Sequence, residues 1–197
     1  MSDNSLVISP PTEPPVRKKP VIASPVLGML ILTGTEIMFF AGLISSVSIL
    51  RNSVAVWPPP GQPRLPVEET AINTAALLLS GIFLILAHRR FKKEPRQALN
   101  PMLTAVILGA AFVVLQGREW IDLLASGLTL TSSTHGSFFY LIIGLHGLHA
   151  VVGILALGLG CWMLKKDKLS FAVFGALEVF WFFVVGVWPI LYFRVYF

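Results

Sequence analysis

The sequence predicts an all-α integral membrane protein, a bundle of five transmembrane helices with its N-terminus in the cytoplasm and its C-terminus in the periplasm. Three observations carry this. Of the 197 residues, 55% are hydrophobic and 13% are charged, whereas a soluble domain carries about 25% charge. Five apolar runs, at about 25–49, 70–90, 101–124, 136–163 and 171–194, are each near the ~20 residues that a bilayer requires. The basic residues are also unevenly divided. With the N-terminus inside, the cytoplasmic segments hold Arg17, Lys18, Lys19, Arg89, Arg90, Lys92, Lys93, Arg96, Lys165, Lys166 and Lys168, and the other side holds Arg51, Arg64, Arg118 and Arg194. Eleven against four is the bias of positive-inside topology. It accounts for the net charge of +5 without nucleic acid.

Residues 1–24 contain five prolines and few large apolar groups. Such a segment cannot bury a core and is expected to be a flexible cytoplasmic extension. The apolar run after Arg17-Lys18-Lys19 is too long for a signal-peptide core, and no small-residue cleavage site follows it. It is read as the first span, with Pro25 in the first turn. Residues 25–197 then form one five-helix domain. Trp57-Pro58-Pro59-Pro60-Gly61, Pro63 and Pro66 predict a rigid loop with an interfacial tryptophan. The second span stops at His88-Arg89-Arg90-Phe91-Lys92-Lys93. The third ends in polar Arg118, Glu119 and Asp122, with a local Arg118–Glu119 ion pair as the default. Thr129 to His135 is a short polar loop before the fourth span, which closes at Lys165-Lys166-Asp167-Lys168. The fifth is densely aromatic. Small residues such as Gly109, Gly144, Gly147, Gly153 and Gly160 mark places where helices can approach closely.

Polar residues inside the spans pose the functional question. Glu36 is the only charge in the first. An ionisable group at mid-membrane costs at least ~2.5–3.5 kcal/mol on insertion scales, which makes such a residue a functional candidate by default. Proton handling or a partner or lipid contact is one reading. A neutral acid hydrogen-bonded to Thr33, Thr35 or a neighbouring helix is the other. Glu178 in the fifth span is a second intramembrane acid, suited either to a role beside Glu36 and the histidines or to local satisfaction.

His146 and His149 lie three apart and so share a helix face. Lipid offers an imidazole no partner, so both rings should face protein. Neutral imidazole can bind metal or haem. A buried metal site needs more ligands, and the spans add only Glu36, Glu178, Cys161 and methionines, with no second pair at helical spacing. Interhelical hydrogen bonding or contact with a partner subunit is therefore the preferred reading, with no metal. The lone Cys161 reads as a small buried apolar residue. Arg89, Arg90, Lys165 and Lys166 are topology signals that also suit anionic lipid headgroups. No nucleotide cradle, nucleophile elbow or catalytic triad is present, so no catalytic residue is assigned.

Several ordered blocks together resemble subunit III of the haem–copper oxidases, most closely that of cytochrome c oxidase. Glu36-Ile37-Met38-Phe39-Phe40 is similar to the family's S-E-x-x-F-F, with Thr35 in the serine's place. Trp57-Pro58-Pro59 through Asn73-Thr74 and Leu79-Ser80-Gly81 resembles W-P-P-x-G … L-N-T-x-x-L-x-x-S-G, and Ala87-His88 falls at A-H-H. Leu115-Gln116 with Glu119-Trp120 resembles L-Q-x-x-E-[WY]. Gly136-Ser137-Phe138-Phe139 followed by Gly144-Leu145-His146-Gly147-Leu148-His149 and Gly153 is close to G-S-x-F-F … G-x-H-G-x-H-x-x-x-G. The likeness covers about 25–197.

The resemblance implies a short bacterial form lacking the first two of seven helices, in the cytoplasmic (inner) membrane. The family's lipid-filled cleft would then be open or filled by another subunit. It implies a non-catalytic chain that binds no redox cofactor, with haem and copper in partner subunits. Its partners would be subunit I as the main contact, subunit II, a small subunit IV and bound phospholipid. Its role would be to support sustained turnover and proton uptake while oxygen is reduced to water. Glu36 matches the family's buried glutamate near the subunit I interface. Helix five departs from the pattern: Phe174-Gly175-Ala176-Leu177-Glu178 stands where the family reads W-H-F-x-D. Subunit III of a quinol oxidase, an accessory of a nitric oxide reductase, and an independent proton-coupled transporter are the alternatives.

Overall fold

A computed structural model of the chain describes residues 21–53 and 65–196. The expectations for residues 1–20 and for most of the proline-set loop lie outside these. Five helices are long and apolar enough to cross a membrane, and among the described residues there is no strand. They are α1 (Ser24–Ser53), α2 (Val67–Lys93), α3 (Leu99–Ala125), α4 (Thr134–Lys165) and α5 (Phe171–Leu191). A 3₁₀ turn, Pro95–Ala98, links α2 to α3, and a π turn, Tyr192–Tyr196, extends α5.

The ends follow from local chemistry. Glu68 and Glu69 open α2, and Arg90, Lys92 and Lys93 close it, each sign complementing the helix dipole. Glu94, before Pro95, is forced into extended backbone and ends the helix. Ser133 and Ser170 cap α4 and α5, accepting from Gly136 N at 3.0 Å and Val173 N at 3.3 Å. Helices α3 and α4 finish in the same way. Leu128 N reaches back to Leu123 O and Gly127 N to Leu124 O, and Lys168 N reaches Met163 O while Asp167 N reaches Leu164 O. These are Schellman turns, which put one residue in left-handed backbone. Gly127 takes that place at φ 91°, and Asp167 takes it at φ 55°. Aspartate is one of the few side chains that visits this region.

Helix α5 is central and packs on α1, α2 and α4, while α3 lies between α2 and α4. Trp181 of α5 holds four helices together. A Cβ at Gly109 of α3 would lie 2.7 Å from its ring, and one at Gly153 of α4 would lie 2.8 Å from it. Its Nε1 donates to Ser80 Oγ of α2 at 3.0 Å. Trp188, one turn pair further along, donates from Nε1 to Thr74 Oγ1 at 2.8 Å. The small residues thus serve indole rings more than backbone-to-backbone contact. Helix α1 is the least covered of the five.

Candidate functional site

Among the described residues, two histidine–carboxylate pairs join helices. The first forms near the middle of α1, between α1 and α4, where Glu36 Oε2 lies 3.2 Å from His149 Nε2. The other nitrogen of that ring, Nδ1, lies 2.7 Å from Leu145 O, one turn back. A carbonyl only accepts, so Nδ1 carries a proton and donates it. This sets the tautomer. Nε2 then faces Glu36 Oε2 in a close imidazole–carboxylate contact. Thr33 and Thr35 do not bond to Glu36. Their hydroxyls donate back to helix carbonyls, Thr33 to Met29 O and Leu30 O, and Thr35 to Leu32 O.

The second pair lies at the lysine- and arginine-rich end, between α2 and α5. His88 Nδ1 is 2.7 Å from Glu178 Oε2 and 2.9 Å from Oε1. Glu178 is 5% exposed, and His88 packs beside Phe171 and Phe174. Sequence reasoning singled out Glu178 but left its partner inside a basic stop signal. The matching A-H-H position was the available clue.

His146 differs from expectation. It is 1% exposed, and its ring stacks on Trp188 at 5.0 Å between centroids and meets Phe40 and Phe112 edge to face. It packs on its own chain's helices. Neither ring nitrogen, however, has a hydrogen-bond partner among the described residues.

Glu119 also differs. It is buried and accepts from Thr70 Oγ1 at 2.8 Å and from Gln116 Nε2 at 2.9 Å, while Arg118 is exposed. Gln116 Nε2 also lies 3.1 Å from the Tyr196 hydroxyl. This network ties α2, α3 and the π turn at the far end of the bundle, in place of a local Arg118–Glu119 pair. Arg89, Arg90, Lys165 and Lys166 are exposed at the basic end. Lys166 Nζ covers the Trp162 ring at 4.5 Å. Among the described residues, no three His, Cys, Asp or Glu side chains converge as a metal site would require.

The fold and these pairs define a multi-pass helical membrane protein whose polar chemistry lies in interhelical imidazole–carboxylate contacts. The family model of cytochrome c oxidase subunit III matches residues 16–197. The chain is similar to cytochrome c oxidase subunit 3 of Pelomedusa subrufa, 35% identical over 180 residues, which cover 86% of this chain and 67% of that one. The same protein of Pongo pygmaeus is 34% identical with the same coverage, and that of Homo sapiens is 32% identical over 181 residues, again covering 86% and 67%. The chain belongs to the cytochrome c oxidase subunit III family, and so to a multi-subunit oxidase.

Proposed function

We propose that this chain is a non-catalytic subunit of a respiratory cytochrome c oxidase in a bacterial cytoplasmic membrane. In this reading haem and copper are carried by the partner subunits. The chain packs chiefly on subunit I, with subunit II and a small subunit IV in the same assembly. Phospholipid lies against the bundle, with headgroups at Arg89, Arg90, Lys165 and Lys166.

The observation that carries the reading is the Glu36–His149 pair. Its Nδ1–H is committed to Leu145 O, which leaves Nε2 to face Glu36 between α1 and α4. Helix α1 is also the helix with most surface left for a neighbour. An imidazole in contact with a carboxylate there suits a part that supports proton supply to a neighbouring subunit and does no chemistry itself. His146 and Glu178 are then packing and pairing groups.

The test is Glu36→Ala in the assembled oxidase. Haem content should stay unchanged, while proton uptake or the number of turnovers before inactivation falls. Unchanged activity, lifetime and pumping would refute the assignment. The quinol-oxidase alternative is separated by the presence or absence of a dicopper centre in the neighbouring subunit II. The transporter alternative requires uptake into liposomes by the chain alone.

A further inference from the structure

A cavity of about 590 Å³ opens at the lysine- and arginine-rich end of the bundle, between the start of α1, the end of α2 and the start of α5. Its apolar lining includes Val21, Ile22 and Val26 on one side and Ile85, Val179 and Phe182 on the other. Gly175, also in the lining, makes room. A Cβ there would lie 3.3 Å from Val26 Cγ2, so a side chain at 175 would enter the space between α1 and α5. The W-H-F-x-D pattern puts a histidine at this position, and this chain has glycine. The cavity goes with that departure.

The polar lining is Arg89, His88 and Glu178. The last two satisfy each other at 2.7 Å. Arg89 is exposed and makes no ion pair among the described residues. With His88 and Glu178 counted as a pair, the lining carries one net positive charge. The His88 side chain is 33% exposed, and its Nδ1 is committed to Glu178, so a guest can meet this ring only through Nε2. An apolar groove with one uncompensated cation at the basic end fits an amphiphile of one negative charge.

Bilayer chains are as apolar as the groove, so the tail adds little net affinity and the head decides. A neutral lipid leaves Arg89 without a counter-charge. A zwitterionic head brings an ammonium near Arg90 and Lys92, both exposed, where like charges repel. A two-tailed anionic lipid leaves one tail outside a single groove. A carboxylate on one chain matches on every count, and a guanidinium grips it through two parallel N–H donors. We propose that this cavity binds one long-chain fatty acid from the leaflet at the basic end, its carboxylate on Arg89 and its chain between α1 and α5. The acid takes Arg89 and leaves Arg90, Lys165 and Lys166 to phospholipid headgroups. This inference does not depend on the oxidase reading.

The experiment is photolabelling of the full chain in phosphatidylcholine nanodiscs, at alkaline pH where the acid is ionised, by palmitate carrying a diazirine in its chain. Mass spectrometry should find the label on residues 21–26 and 179–182, and excess unlabelled palmitate should remove it. Hexadecanol and methyl palmitate keep the chain without the charge and should leave the label in place. Arg89→Gln should weaken the saturable labelling about three- to tenfold. Arg90→Gln removes the same charge one residue on, outside the lining, and should leave the labelling unchanged. Both arginines are exposed, so neither variant disturbs the core. Gly175→His restores the side chain of the pattern and should abolish the labelling; if it does not fold, the two arginine variants decide. Label that excess palmitate does not displace, equal displacement by hexadecanol or by phosphatidylglycerol, or equal loss in Arg89→Gln and Arg90→Gln would each overturn the proposal.

Discussion

At the scale of the residue, Glu36 and Glu178 are each defined by the histidine they meet. His88 and Glu178 come from α2 and α5, and the carboxylate has lost nearly all contact with its surroundings outside the protein. Removing one partner leaves the other buried and unpaired, which should cost about 1–3 kcal/mol. His88→Leu should therefore lower the thermal midpoint in detergent. The double variant His88→Leu/Glu178→Leu should regain much of that loss, because replacing both members by apolar groups removes the unpaired charge. A double variant no more stable than the less stable single would mean that the two are not coupled. The acids and His146–His149 stood out in the sequence because a polar group in an apolar run is conspicuous. Their pairings did not, since each partner comes from a helix distant in the chain. For His146 the sequence offered interhelical hydrogen bonding or a subunit contact, because lipid gives an imidazole no partner. It instead packs against Trp188.

At the scale of the element, two devices decide how the helices fit. The first is the indole of Trp181 between Gly109 and Gly153. Gly153→Ala would put a methyl 2.8 Å from that ring, and overpacking of this kind costs about 1–3 kcal/mol. Gly158, on the same helix, faces open space. Gly158→Ala should be neutral or slightly stabilising through helix propensity. Unfolding of the two variants side by side, with equal loss in both, would show that the tryptophan seat is not the cause. The second device is the turn after α4. Asp167 receives Arg96 Nε at 3.1 Å and an Arg96 terminal nitrogen at 2.5 Å. This bond holds the Asp167 carboxyl below the usual carboxylate range. A depressed folded-state value means that the contribution is present above about pH 4, the unfolded carboxyl's range, and is lost as the pH falls below that. Both groups are exposed, so the effect is small and screened by salt. Protection of the amides at residues 166–170, taken relative to the intrinsic exchange rate at each pH, should fall on acidification at low salt, and Asp167→Asn should remove that fall. The helices themselves were readable from apolar run length. The left-handed aspartate was hidden, because that backbone region normally selects glycine.

At the scale of the whole molecule, apolar length and basic bias were enough to predict a five-helix membrane bundle, and the described residues hold five helices long and apolar enough to span one. Bundle order was not readable, because hydrophobic periodicity is weak when lipid and protein neighbours are equally apolar. The central position of α5 follows from its aromatic residues, whose indole N–H groups need partners on other helices. The poorly covered α1, with Glu36 held toward α4, fits a chain completed by a larger assembly. That assembly is the central claim, and an affinity tag on this chain tests it most directly. After mild solubilisation, the tagged chain should run on a native gel in a band with a haem spectrum and the masses of the oxidase partners, and the chain separated from that band should retain no haem absorbance. A tagged chain that runs alone, or that keeps haem after separation, would contradict the account.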